Sequence, residues 1–92
     1  MKDAHVMVQG FVQGVGYRKW ARKKAQKMSL TGWVRNLPDG SVELLVQGDR
    51  EKIEKLLEIY KKGPFMAEVE SADTMWEEQK ETFDDFFIRH DF

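Results

Sequence analysis

The chain has 92 residues, 41% of them hydrophobic and 34% charged, which is enough for one core and too few for two. Its formal net charge of −1 lacks the positive excess of a dedicated nucleic-acid binder, and the absence of cysteine removes disulfides, thiolate metal sites and thiol nucleophiles together. No apolar run is long enough to span a bilayer, and Met1-Lys2-Asp3-Ala4-His5 passes into an alternating segment without an apolar signal region, so the expectation is a cytoplasmic protein.

His5 to Val12 is rich in β-branched and aromatic residues, with Val6 and Val8 on one face, and reads as a strand. Gln13-Gly14-Val15-Gly16 breaks it. From Tyr17 the period changes: Tyr17, Ala21, Ala25 and Met28 share one side of a helix, Trp20 flanks them, and the basic residues lie opposite. Leu30 to Asn36 reads as a second strand, Pro38-Asp39-Gly40 as a turn, and Ser41 to Gln47 as a third strand with Val42, Leu44 and Val46 inward. Asp49 is a good N-cap for a second helix striped by Ile53, Leu56, Leu57 and Tyr60, which Gly63-Pro64 stops. Ala67 to Met75 is a weaker strand, Glu77 to Thr82 an exposed loop, and Phe86 to Arg89 a short closing strand.

The order β-α-β-β-α-β, with that extra C-terminal strand, defines an α+β class and suits a ferredoxin-like sandwich: an antiparallel sheet with two helices on one face. Residues 1–92 are read as a single domain. A β-α-β crossover makes the first two strands parallel with the third between them, so their carboxyl ends share an edge. The glycine loop and Asn36 are expected to meet there.

The segment Gln13-Gly14-Val15-Gly16-Tyr17-Arg18 joins a strand to a helix start, where unpaired N–H groups and the positive end of the helix dipole favour an anion. Successive N–H groups in such a turn converge on one centre, a nest suited to phosphate oxygens, and Arg18 adds a planar fork of donors. As a bare pattern the same residues also fit a tight turn with an exposed arginine, and Asn36 also fits a turn residue. No Lys-Ser/Thr pair follows, so this is not a Walker loop.

Gly-Phe-Val-Gln-Gly-Val-Gly-Tyr-Arg, from Gly10 to Arg18, resembles the signature of the acylphosphatase family. Leu30 to Asn36, followed by Asp39-Gly40-Ser41-Val42-Glu43, is similar to that family's second block and stands at the family's separation from the first. Looser resemblance extends to Gly48, the second helix and Phe86 to Arg89. Tyr17 stands where phenylalanine is frequent, and His90-Asp91-Phe92 runs slightly past the usual ending. The resemblance implies hydrolysis of acyl phosphates without a metal or cofactor, releasing inorganic phosphate. It implies that Arg18 binds the phosphate, that Asn36 orients the attacking water, and that Gln13, Gly14, Val15, Gly16 and Tyr17 form the phosphate cradle. The expected partner is a small-molecule acyl phosphate, with no nucleic acid and no membrane, and the protein is taken as a monomer.

Other residues have plainer readings. Trp20, Trp33 and Trp76 are packing or sheet-surface residues, His5 and His90 are solvated near the chain ends, and Arg35 braces the second strand or the site. The run from Arg18 to Lys27 is the solvated face of a helix that also steers anions. Two other readings stay open: an RNA-binding module, which ferredoxin-like sheets also support, although the aromatic-rich RNA motif is absent, and a non-catalytic phosphate-binding unit like the related domains of carbamoyl-transfer proteins.

Overall fold

The computed structural model describes residues 2–90. Within them run β1 (Lys2–Phe11), α1 (Tyr17–Lys27), β2 (Thr31–Asn36), β3 (Val42–Gln47), α2 (Arg50–Lys62), β4 (Glu68–Glu78) and β5 (Phe86–Ile88). The sheet order is β4-β1-β3-β2-β5. The first four strands pair antiparallel, and β5 adds a parallel pair with β2, so the sheet is mixed at that edge. Asp91 and Phe92, part of the C-terminal extension seen in the sequence, lie outside the described residues.

Strand alternation decides which side chains meet the helices. Ala4, Val6 and Val8 of β1, Val42, Leu44 and Val46 of β3, and Val34 of β2 are fully buried on the inner face. Both helices cover that face, with Tyr17, Ala21 and Ala25 from α1 and Ile53, Leu56, Leu57 and Tyr60 from α2 completing one core. Each helical stripe is the one the 3.6-residue period indicates. Asp49 caps α2 as expected, its carboxylate accepting from the Lys52 N–H at 3.2 Å, and Gly63 ends the helix with φ 73°.

Two segments differ from the sequence reading. Strand β1 begins at Lys2 and β4 continues to Glu78, because Lys2 and Asp3 pair with Glu78 and Glu77. A charged run reads as loop by composition, but here one strand supplies the hydrogen-bond ladder for the other and the side chains reach water or an ion partner. The stretch after β4 must then cross from one edge of the sheet to the other. Gln47, buried in central β3, pins it by donating to the Glu81 carbonyl at 2.5 Å and accepting from the Phe83 N–H at 3.1 Å.

Strands β1 and β2 both run antiparallel to β3, and Val8 and Asn36 both stand opposite Val42. Both strands therefore end at the same edge of the sheet, with β1 running three residues past the level of Asn36 before its loop begins.

Candidate active site

The loop from Val12 to Gly16 turns the chain from β1 into α1. Gly14 and Gly16 have φ of 75° and 80°, the left-handed region, while a Cβ at either would meet nothing within 4 Å. Glycine is thus required there by backbone conformation and not by crowding. Gly16 occupies the N-cap of α1, so no side chain caps this helix, and no acidic residue stands in its first turn. Helix α2 has both an Asp49 cap and Glu51 in that turn. The first N–H groups of α1 have no intrahelical acceptor, so the two helix starts differ in one respect that matters: only α1 is left open to an anion.

Arg18 follows at the second helical position. Its guanidinium approaches His90 Nδ1 at 3.4 Å. Arginine can only donate, so this contact needs a His90 whose Nδ1 lone pair is free. Asn36, at the end of β2, faces the same space, and its Oδ1 is buried and takes no hydrogen bond from the described residues. Val12, Gly14, Gly16, Tyr17 and Arg18 line a cavity of about 380 Å³ with Asn36, and the walls beyond them are Lys19, Arg22, Ile88 and His90. No carboxylate lines this cavity among the described residues.

The glycine loop and Asn36 thus meet at one cavity, as expected, and Arg18 lines it with them. The cradle residues divide into two kinds. Gly14, Gly16 and Tyr17 border the cavity, whereas Val15 packs against the core and Gln13 turns to the β2–β3 connection. The Gln13 amide donates to the carbonyls of Leu37 and Ser41, at 2.8 Å each, tying the loop to the strand that carries Asn36. The Tyr17 side chain is buried and its hydroxyl is used in the core, donating to the Tyr60 carbonyl, which leaves its backbone N–H for the site. Burial pushes the Tyr17 phenol up, so it stays a donor.

Sequence reading missed Lys19, Arg22, Ile88 and His90 as wall residues. The helical spacing of Arg18 and Arg22 could have flagged the second, but the parallel docking of β5 beside β2, which brings in Ile88 and His90, leaves no local trace.

His5 also departs from its expected solvated state. It is half-buried on the sheet's open face, where its two ring nitrogens meet Glu43 and Glu77, and Glu43 also pairs with Arg35 Nε at 2.7 Å. Burial pushes His5 down, but the hydrogen bonds to Glu43 and Glu77 outweigh it and hold the imidazolium above the usual histidine value. Burial pushes Glu43 up, and its bonds from His5 and Arg35 more than offset that, leaving the carboxyl below its usual range. Arg35 thus braces the sheet. The guanidiniums of Arg35 and Arg89 lie over the ring of Trp33 at 5.2 and 4.5 Å from its centroid. Among the described residues no group of three or more histidine, aspartate or glutamate side chains is arranged to hold a metal ion.

Fold and cavity together define a class, an α+β sandwich in which an uncapped helix start and cations without a carboxylate partner among the described residues border one cavity. The chain belongs to the acylphosphatase family, whose sequence profile matches residues 4–88. It is 53% identical over 73 residues to the acylphosphatase of Methylococcus capsulatus, an alignment covering 79% of each chain. Among solved structures it is similar to the acylphosphatase from Bacillus subtilis, with TM-score 0.93 and 32% identity over 98% of this chain and 100% of that one. A second structure, an acylphosphatase from Coxiella burnetii, superposes with TM-score 0.89 and 43% identity over 96% of this chain and 92% of that one.

Proposed function

We propose that this protein hydrolyses acyl phosphates, the mixed anhydrides of carboxylic and phosphoric acids, to carboxylate and inorganic phosphate in the cavity between α1 and β2. The observation that carries the reading is the start of α1, uncapped and free of acid, with Arg18 upon it and Asn36 across the same cavity. Backbone N–H groups from Gly14 to Arg18 hold the phosphate oxygens, and the Arg18 fork fixes the group as well as attracting it. Asn36 lines the same cavity, and its amide holds the attacking water in line with phosphorus through a hydrogen bond. Gln13 keeps the loop and Asn36 at a fixed separation.

The chemistry needs little more. The water oxygen forms its bond to phosphorus as the bond to the acyl oxygen breaks, and the electron pair leaves on a carboxylate. The conjugate acid of that leaving group has a pKa of about 4 to 5, judged from aspartic and glutamic side chains, so no general acid is required to expel it. Phosphoryl transfer through a loose transition state leaves positioning and charge stabilisation as the main work, which these groups can supply without a metal. The water proton passes to a phosphate oxygen of the substrate itself, since Asn36 cannot take it.

The same reading takes residues 1–92 as a single acylphosphatase-like domain, acting as a cytoplasmic monomer on a small molecule. Among the described residues no helix is long and apolar enough to cross a membrane. Asp3, Glu43 and Glu77 on the open face of the sheet argue against nucleic acid there, because they would lie against a phosphate backbone. Hydrolysis of benzoyl phosphate by the purified protein, with chelator present, tests the proposal. Turnover is expected in the wild type, with loss of about 10²-fold or more in folded Arg18→Ala and Asn36→Ala. Absence of turnover by the folded wild type ends the hydrolase reading, and an undiminished rate in folded Asn36→Ala ends its assignment.

A further inference from the structure

The cavity holds more positive charge than one phosphate site uses. Arg18, Lys19 and Arg22 all line it, and among the described residues none of the three has a carboxylate partner. Some cations elsewhere have carboxylate partners, Arg50 with Glu54, Lys61 with Glu58 and Lys2 with Glu78, but what sets Arg18, Lys19 and Arg22 apart is that they gather around one cavity. Arg22 stands one helical turn after Arg18, on the same face of α1 and about 6 Å further along its axis. Its backbone stands one turn beyond the phosphate loop, so its guanidinium can serve a part of the ligand further along α1 than the phosphate. The cavity walls also include the apolar residues Val12 and Ile88. An acyl group in this cavity therefore has both apolar surface and the Arg22 guanidinium within its walls.

We infer that Arg22 is a specificity-determining residue for the acyl half of the substrate, selecting acyl phosphates that carry a second carboxylate. The inference rests on the hydrolase reading above and names its substrate class. Arg22, like Arg18, is partly shielded, and its planar fork matches a carboxylate through two parallel hydrogen bonds. Lys19, more exposed, reinforces the field without fixing an orientation. Among the described residues, the cavity wall has no acidic neighbour to repel a carboxylate placed there. A neutral acyl group in the same position leaves the guanidinium with water alone as its partner.

The test compares meta-carboxybenzoyl phosphate with meta-methylbenzoyl phosphate, which share a ring and differ in the charge at the far end. Rates are measured at an ionic strength of about 0.5 M, where a Debye length on the order of 4 Å removes long-range steering of the more highly charged substrate. The wild type is expected to favour the carboxylated substrate in kcat/KM by roughly tenfold or more. In Arg22→Gln, checked for folding by circular dichroism, that ratio falls close to one, chiefly through loss on the carboxylated substrate. Arg22→Lys restores part of it. A wild type that hydrolyses both substrates equally well, or an Arg22→Gln variant that lowers both rates by the same factor, overturns the inference and leaves the hydrolase reading standing. Hydrolysis of neither substrate by the wild type overturns the hydrolase reading and this inference with it.

Discussion

The Tyr17 hydroxyl donates to the backbone carbonyl of Tyr60 at 2.9 Å, joining the first residue of α1 to the last turn of α2. A helical carbonyl at position 60 would ordinarily accept from the N–H four residues on, but that residue is Pro64, which has none. Tyr17 supplies the missing donor. Tyr60 returns the link through its own hydroxyl, which donates to the Ala21 carbonyl at 2.8 Å, and burial pushes its phenol well up as well. The helix stop that Gly63-Pro64 writes into the sequence is thus completed from the other helix.

Tyr17→Phe keeps the ring but leaves the Tyr60 carbonyl buried and unpaired. It is expected to lower stability by about 1–3 kcal/mol. Urea denaturation measures this, with the transition midpoint falling and the slope unchanged. An unchanged midpoint would mean that the carbonyl finds another donor.

Arg18→Lys retains the charge and loses the fork. If two parallel bonds fix the phosphate, this variant folds like the wild type and turns over benzoyl phosphate about 10²-fold more slowly or worse. Near-normal turnover would show that charge alone suffices.

Gln13 acts through its side chain on the separation between the loop and Asn36. Gln13→Ala removes the donor from two carbonyls and is expected to cost about 1–3 kcal/mol of stability. A purely structural residue would stop there. As a positioning residue it also lowers kcat/KM by roughly tenfold and weakens inhibition by inorganic phosphate, because the N–H groups no longer converge on one point. Unaltered phosphate inhibition in the folded variant would reduce Gln13 to a packing role.

His5 makes stability depend on pH. Its pKa is raised in the folded state, so its contribution is whole below the ordinary histidine value and is lost as pH rises through the raised one. Glu43 is depressed, so its contribution is whole above the ordinary carboxyl value and is lost as pH falls through the lowered one. Asp3, Glu77 and Arg35 face the same cluster from β1, β4 and β2. Between about pH 6 and about pH 9 the melting temperature of the wild type is expected to fall more than that of His5→Gln, followed by thermal denaturation at matched ionic strength. Parallel curves for the two proteins would mean that His5 is not charged by its neighbours.

What the sequence discloses depends on how local each cause is. Hydrophobic period marks both helices with their buried stripes, and glycine placement marks the loop at Gly14 and Gly16, since these causes act within a few residues. Strand crossover logic places Asn36 beside that loop without any contact being seen. The ends of β1 and β4 escape because Lys2, Asp3, Glu77 and Glu78 become strand only through each other. His5 looks solvated from its position in the chain, yet the carboxylates that half-bury it lie 38 and 72 residues away. Ile88 and His90 reach the cavity only by tertiary docking, and no period records that.

Both edges of the sheet, β4 and β5, come from the chain's second half, while its centre of β1, β3 and β2 is complete by Gln47. A ribosome therefore delivers the middle of the sheet first. A nascent chain at that stage has two open flanks offering unpaired N–H and carbonyl groups to any neighbouring strand, another nascent copy included. Ile88 also belongs to the cavity wall, so the pocket itself closes only as the final strand docks. Pairing of the flanks and completion of the pocket both wait on these later strands, and a chain interrupted before them has neither closed edges nor a finished site.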